Sequence, residues 1–344
     1  MQVSARAQTI AVLGAGAWGT ALAMQLVRNG HHALLWGRNR KAVEAMTKSR
    51  CNDRYLPGIY FPERLEPHWN LNAVLTQTSM LLLAVPSSTF RQVLRHVAAR
   101  VRDNLRLLWA TKGLETRSGK LLHSLVDDEL AARASAGLIS GPSFAAEVAR
   151  GLPTAVTVAA CDIEFAREAA AWLHSDTFRV YTSNDVVGVE LGGALKNVLA
   201  IAAGISDGLG FGSNARAALI TRGLGEIMRL SECAGAQRET LMGLSGLGDL
   251  VLTCTDDQSR NRQLGLALGR GQLLDVAVSD VAQTVEGVAT ASVVLRVARS
   301  HQVEMPICEQ VYRVLFERLD PSAAVAELLH RERKMENLQN ALRR

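Results

Sequence analysis

An apolar run, Thr9 to Leu13, passes straight into Gly14-Ala15-Gly16-Ala17-Trp18-Gly19. A helical pattern through Leu22, Met24, Leu26 and Val27 follows and stops at Asn29-Gly30, and Ala33 to Trp36 is the next apolar run. On its own G-x-G-x-x-G is a weak pattern. Between two strands, at the head of a helix and within about 30 residues, it is a strong one. The first glycine permits the tight turn, the second lets backbone approach a pyrophosphate, and the third lets helix and strand pack closely. The phosphates would sit on free N–H groups at the helix start. Gly14, Gly16, Ala17, Trp18 and Gly19 are therefore candidate dinucleotide contacts. The plain alternative is a glycine-rich turn with no ligand.

The alternation continues. Met80 to Val85, Leu105 to Ala110, Leu138 to Ser140, Thr154 to Ala159 and Arg179 to Tyr181 read as strands, and Ser88 to about Arg100 as a helix. Strands alternating with helices imply a mainly parallel sheet covered on both faces. After Asp185 only helical patterns remain, over 185–206, 214–235, 240–245, 258–268, 277–283, 287–301, 308–318 and 321–342. Composition shifts there from β-branched runs to Ala, Leu and Gly. The expected fold is α/β: a Rossmann-type dinucleotide-binding domain over 1–184, then an all-α substrate-binding and catalytic domain over 185–344. Ligands in such sheets bind beyond the carboxyl ends of the strands, and Trp18, Arg38, Val85-Pro86, Lys112 and Gly141-Pro142-Ser143 all fall at such ends.

The end of the second strand bears on cofactor choice. An NAD site usually offers an acid about 20 residues after the glycines for the ribose hydroxyls. Here the residues are Gly37-Arg38-Asn39-Arg40-Lys41, with no acid and three cations. Arg38 suits stacking on adenine and pairing with a 2′-phosphate. NADPH is expected to be preferred over NADH, unless these charges merely decorate the start of the next helix.

Bulk properties narrow the class. A hydrophobic content of 48% with 21% charge fits a globular chain. The net charge of +5 suits anionic small molecules, and aromatics at 5% are too sparse to interleave with basic runs as nucleic-acid binding needs. The basic clusters Arg331 to Lys334 and Arg343-Arg344 read as a solvated helix face and tail. The five cysteines form no C-x-x-C and no secretion signal precedes them, so a cytoplasmic setting is expected. No metal site is expected. No stretch is read as approaching the ~20 uninterrupted apolar residues of a membrane span.

Within the helical half, Gly188 to Gly208 reads GVELGGALKNVLAIAAGISDG. Leu191, Leu195, Val198, Leu199, Ala202 and Ile205 recur at helical spacing and mark a core face. Lys196 interrupts it. Its neighbours at three and four residues are Gly192, Gly193, Leu199 and Ala200, none of them an acid. Two interior glycines cost roughly 1 kcal/mol each against alanine, so another backbone or a flat ligand is expected to come close there. A lysine snorkelling between packed neighbours is the competing reading. Ser206 to Asn214 reads as a glycine-rich loop. Gly243 to Cys254 places Asp249 in a glycine-rich turn, either as a helix cap or as a partner for a lysine. Ser259-Arg260-Asn261-Arg262 opens a helix with groups that suit a phosphate, or with an ordinary cap.

These blocks carry a resemblance. GALKNVLA around Lys196, NARAALITRG from Asn214, GLGDL around Asp249 and SRNR from Ser259 resemble the bacterial NAD(P)-dependent glycerol-3-phosphate dehydrogenases, as do GAGAWGTALA, WATKG, Gly141-Pro142-Ser143-Phe144, Val285-Glu286-Gly287 and Glu304-Met305-Pro306-Ile307. The likeness runs from about residue 8 to about residue 335. It implies interconversion of dihydroxyacetone phosphate and sn-glycerol 3-phosphate, feeding phospholipid synthesis, with Lys196 as acid/base. It also implies substrate contacts from Lys112, Gly141, Ser143, Asp249, Ser259, Arg260 and Asn261, and cofactor contacts from Lys112, Ala145, Arg260, Val285 and Glu286. Ala17 stands where many members carry serine, and Ala146 where relatives often carry lysine. The nicotinamide is expected over the Gly192–Gly193 side of the helix. A homodimer is the common outcome for such enzymes. Two alternatives stay open: a dehydrogenase of the same architecture acting on a 3-hydroxy acid or sugar acid, which has no need of SRNR, and a cofactor-binding regulator, which has no use for Lys196 and Asp249 together.

Overall fold

The computed structural model describes residues 7–100, 104–130, 133–281 and 285–330. Its first half alternates strand and helix. β1 (Thr9–Leu13), α1 (Ala17–Arg28), β2 (His32–Trp36), α2 (Arg40–Ser49), β3 (Leu65–His68) and α3 (Leu71–Leu75) lead into β4 (Met80–Leu83), α4 (Ser87–Ala98) and β5 (Leu105–Trp109). Next come α5 (Leu122–Leu130), β6 (Ala134–Ser140), α6 (Ala145–Arg150), β7 (Thr154–Ala159), α7 (Ile163–Leu173) and β8 (Phe178–Ser183). All 8 strands form one sheet in the order β3-β2-β1-β4-β5-β6-β7-β8. Every neighbouring pair is parallel except β6 with β7.

Burial on both faces explains why the strands read as continuous apolar runs. Ile10 and Val12 of β1 point into one core with α1, α2 and α7, while Ala11 and Leu13 point into the other with α3, α4 and α5. Two strands differ from the sequence reading. β3, Leu65-Glu66-Pro67-His68, has a proline and two polar residues and gives no strand signal. It sits at the sheet edge, paired with β2 alone, where proline is tolerated. β6 starts at Ala134, four residues before the apolar run, because Ala134 to Gly137 are small and carry no hydrophobic signal.

From Val186 on, the described elements are all helical. They are α8 (Val186–Gly208), α9 (Gly212–Cys233), α10 (Arg238–Leu241), a π-helical turn Leu244–Gly248, α11 (Asp249–Thr255) and α12 (Arg260–Gly269), then α13 (Leu274–Asp280), α14 (Glu286–Ser300), α15 (Pro306–Phe316) and α16 (Pro321–Leu329). The Ser206–Asn214 loop is mostly helix, since α8 continues to Gly208 and α9 resumes at Gly212, with the chain reversed through Gly210 at φ +81°. The helix expected over 240–245 instead lies at Arg238–Leu241. Residues 282–283 of the helix expected over 277–283 lie outside the described residues, as do the end of the last helix and both C-terminal basic clusters.

α8 is the centre of the second half. At 23 residues and a mean hydropathy of 1.5 it is long and apolar enough to cross a membrane, contrary to the expectation that no stretch would be. Yet 94% of that window is buried inside the protein, so its apolar surface is spent on the core. α12 lies directly against it, backbone on backbone. A Cβ on Gly265 would stand 2.0 Å from Ile201 O, and one on Gly204 would stand 2.1 Å from Arg262 O. Gly208 and Gly269 repeat the arrangement one turn on. This interlock fixes the start of α12 relative to Lys196.

Candidate active site

β1, β4, β5 and β6 are parallel neighbours, so their carboxyl ends share one edge of the sheet. The chain order reverses between β1 and β4, which is where open α/β sheets hold their ligands.

At β1 the three glycines divide as expected. Gly14 has φ +125°, and a Cβ there would lie 2.4 Å from Ala84 O. A Cβ on Gly19 would lie 1.9 Å from Gly14 O, so this glycine is required by helix–strand contact. Gly16 has nothing within 4 Å, which leaves room for a ligand to approach its backbone. α1 carries no side-chain cap and no acid in its first turn, and the N–H groups of Ala17, Trp18 and Gly19 have no intrahelical acceptor. The partly buried Trp18 presents an indole Nε1 with no hydrogen-bond partner among the described residues. Asn52 Nδ2 pins the turn by donating to Ala15 O at 3.1 Å and Thr20 Oγ1 at 2.8 Å. This site fits a dinucleotide pyrophosphate.

The cations after β2 have different duties. Arg40 pairs with Glu44 at 2.7 Å and lies 4.8 Å from the Trp69 ring centroid. Asn39 caps α2 by accepting from Ala42 N at 3.1 Å. The side chains of Arg38 and Lys41 are exposed and make no hydrogen bond or ion pair among the described residues.

Lys112 leaves the end of β5, and its Nζ donates to Asp249 Oδ2 at 2.5 Å and to Gly141 O at 3.3 Å. Lys196 Nζ donates to the other oxygen of the same carboxylate and to Thr253 Oγ1 at 2.9 Å. One carboxylate, 1% exposed, thus holds two ammoniums, and Lys196 is itself only 8% exposed. Burial pulls the Lys196 pKa down to about 8, with Asp249 pushing it up and the Lys112 charge adding to the fall. Asp249 is therefore a lysine partner, and its place at the start of α11 serves to aim it.

Both glycines before Lys196 are needed by the protein itself. A Cβ on Gly192 would stand 2.6 Å from Ser245 O, and one on Gly193 would stand 2.6 Å from Ser140 Oγ and 3.7 Å from Lys112 Cδ. The close approach expected at these glycines is thus made by the protein itself. The close neighbours are the backbone of the π-helical turn and the end of β6, and this packing brings α8 to the sheet edge.

The remaining candidates fall around this pair. Gly141 has φ +145°, and Ser143 Oγ donates to its carbonyl at 2.9 Å. Ala145 opens α6, and Val285 and Glu286 open α14. Burial raises the Glu286 carboxyl, while the charges of Arg260, Lys112 and Lys196 pull it down. In SRNR the roles separate. Ser259 is the α12 cap, accepting from Arg262 N at 3.3 Å. Arg262 is buried and pairs with Asp207 at 2.6 Å and with Asp257, so it is structural. Asn261 is also committed, donating to Asn197 Oδ1 at 3.0 Å and accepting from Gly287 N at 2.9 Å. Arg260 alone of the four is exposed. Sequence reasoning passed over Thr253 and Asn197. Thr253 lies one helical turn after Asp249, and this spacing was its available signal. Cys254 is buried and its thiol is pushed up to about 12 by burial, which removes it as a nucleophile.

A sheet ordered 3-2-1-4-5-6 with a glycine turn at its switch point, and a buried lysine delivered to the same edge from a helical half, define a nicotinamide-dependent oxidoreductase. The particular family follows from comparison with known proteins. Residues 9–166 match the model of the NAD-dependent glycerol-3-phosphate dehydrogenase N-terminus, and residues 185–326 that of its C-terminus. The chain belongs to that family. It is 59% identical over 327 residues to the glycerol-3-phosphate dehydrogenase [NAD(P)+] of Thioalkalivibrio sulfidiphilus, covering 95% of this chain and 98% of the relative. It is 58% identical to the Nitrosococcus oceani enzyme of the same name, covering 94% of each. The crystal structure of the Coxiella burnetii glycerol-3-phosphate dehydrogenase superposes with a TM-score of 0.92 at 48% identity, covering 94% of this chain and 99% of that one.

Proposed function

We propose that this chain reduces dihydroxyacetone phosphate to sn-glycerol 3-phosphate, supplying glycerol 3-phosphate for phospholipid synthesis. Residues 1–184 act as the dinucleotide-binding domain and 185–344 as the substrate and catalytic domain. The observation that carries the reading is the buried Lys196 ammonium, aimed by Asp249 and Thr253 at the edge where β5 and β6 end.

The bound nicotinamide supplies the hydride. Lys196 donates the proton to the carbonyl oxygen as negative charge develops there, a contribution of about 10²–10⁴-fold. Its lowered pKa puts the proton within reach of neutral pH. Asp249 fixes the direction of the ammonium, and Lys112 adds positive field at the developing oxyanion. Arg260, exposed at the start of α12, takes the substrate phosphate with the α12 N–H groups. Ser259 and Asn261 contribute through the shape of that helix start. Gly141 and Ser143 contact the substrate, and Ala145, Val285 and Glu286 the dinucleotide. Gly14 to Gly19 hold the pyrophosphate. Arg38 takes the 2′-phosphate, since it has no other partner among the described residues while Arg40 is already engaged. NADPH is then preferred over NADH, and Arg38→Ala lowers kcat/KM for NADPH roughly tenfold while sparing NADH.

The working form is read as a cytoplasmic homodimer, testable by light scattering; the five unpaired cysteines accord with a reducing setting. One assay decides the main reading: dihydroxyacetone phosphate with NADPH, followed by loss of reduced nicotinamide. Turnover that disappears in Lys196→Ala supports it. No turnover by the wild-type protein, or unchanged turnover in the variant, rejects it.

A further inference from the structure

Lys112 sits on chain that has neither helix nor strand. From 110 to 121 the backbone is irregular, so no ladder holds the lysine against Asp249. Its place is set by side-chain anchors. On one side Thr111 Oγ1 donates to Val85 O at 2.8 Å. On the other, Leu114 is buried in the helical core, and the first polar anchor is Glu115, within about 11 Å of Lys112 along the chain. Between them Gly113 has φ +118°, and a Cβ there would meet Ser87 Oγ at 3.2 Å and Thr290 Oγ1 at 3.7 Å, so the turn is wedged between α4 and α14.

Glu115 is itself firmly held. It is 9% exposed. Arg91 of α4 grips it with both arms, Nε to Oε1 at 2.6 Å and Nη2 to Oε2 at 3.0 Å. The Ser118 hydroxyl also donates to it, and its backbone N–H donates to Lys120 O at 3.0 Å. Arg91 holds the carboxyl below the usual range, against burial. Arg91 Nη1 reaches Glu129 at 2.7 Å, and Nη2 also reaches Asp128 at 3.3 Å, both on α5. Arg296 of α14 closes the far side by donating to Thr116 O at 2.9 Å.

We propose that Glu115, clamped by Arg91, is a positioning residue for Lys112. The proposal rests on the reading of Lys112 as a substrate contact. The clamp fixes the peptide three residues beyond the lysine, and without it Nζ is free to leave Asp249. A displacement of about 1 Å at a reacting centre costs up to about 10²-fold.

The test is a double-mutant cycle on the full chain, with dihydroxyacetone phosphate and NADPH. Glu115→Gln should raise KM for the phosphorylated substrate and lower kcat/KM by roughly 10–100-fold. Arg91→Lys, which keeps the charge but loses the two-armed grip, should show an intermediate loss. In the Lys112→Ala background Glu115→Gln should cost nothing more, because its only route to the substrate is gone. An equal loss in both backgrounds overturns the proposal and makes Glu115 a general fold residue. If Lys112→Ala alone leaves kcat/KM unchanged, the substrate role of Lys112 is wrong and the proposal falls with it, a result distinct from the first.

Discussion

A lysine whose pKa lies near 8 is mostly protonated at pH 7 and gives up its proton readily. Lys196 meets that condition because burial disfavours its charge more than Asp249 restores it. The sign of the pH effect follows. Ketone reduction needs the protonated amine, which is present below about 8 and lost above, so kcat for reduction should fall as pH rises through about 8. Alcohol oxidation needs the free amine and should rise over the same interval. A pH profile of kcat in both directions checks this; a reduction rate flat from pH 7 to 9 would sink it. Lys196→Arg separates charge from proton donation. A guanidinium stays protonated in proteins, so this variant should lose about as much as Lys196→Ala, roughly 10²–10⁴-fold in kcat. Lys196 was legible because a single cation interrupts an otherwise apolar helix. Asp249 was legible as a possible lysine partner, but that one carboxylate holds both Lys196 and Lys112 was not, since only the fold brings the three together.

Among the elements, α8 and α12 carry the tightest packing, and it is packing of bare backbone. Four glycines, Gly204 and Gly208 on one helix and Gly265 and Gly269 on the other, let the helices touch. Sequence reading placed Gly208 in a loop and gave the other three no packing role, because spacing alone does not say what a glycine faces. Gly265→Ala would press a methyl onto Ile201 O, 2.0 Å away, where only backbone can give way. The expected outcome is a loss of about 1–3 kcal/mol in chemical denaturation. KM for the phosphorylated substrate should also rise, because α12 would move Arg260 away. α9 and α15 are joined differently. Glu226, 1% exposed on α9, accepts from Ile307 N at 2.7 Å and Cys308 N at 3.2 Å, capping α15 from a distance. Burial pushes its carboxyl up to about 7 in the face of those hydrogen bonds. The folded protein therefore keeps a proton that the unfolded chain releases between about pH 4.5 and 7. Stability must fall across that window as pH rises, by an amount on the order of 3 kcal/mol. Glu226→Gln should flatten this slope. Denaturant titrations at pH 5 and pH 7 measure it, and an equal slope in both proteins would show that Glu226 is not its source.

At the scale of the molecule, the sheet half and the helical half meet through buried charge. The first half was largely legible, because parallel strands buried on both faces declare themselves as apolar runs. The edge strand β3 and the exposed helix starts did not, since their residues answer to neighbours distant in sequence. The joint between the halves was invisible for the same reason. Glu190 of α8 accepts from His123 N at 3.3 Å and meets His123 Nδ1 at 2.7 Å on α5. Gln258 reaches Glu147 of α6 at 2.9 Å, and Asp249 ties Lys112, three residues past β5, to Lys196 of α8. Asp249 differs from the other ties because its one carboxylate pairs with two ammoniums at once. Asp249→Asn would leave those ammoniums close together in a buried place, facing an amide of no charge. Removing one partner of a buried ion pair typically costs about 3–5 kcal/mol. The melting temperature should drop accordingly. A multivalent anion that enters between the lysines should restore part of it. Phosphate, matched in ionic strength against chloride, should therefore raise Tm more in Asp249→Asn than in the wild-type protein. Asp249 holds the Lys196 pKa up, so in Asp249→Asn the amine should shed its charge below about 8, and the gap between the two proteins should narrow as pH rises toward that value. Equal phosphate effects in the two proteins, with a gap independent of pH, would mean that repulsion between Lys112 and Lys196 does not govern how the halves are held.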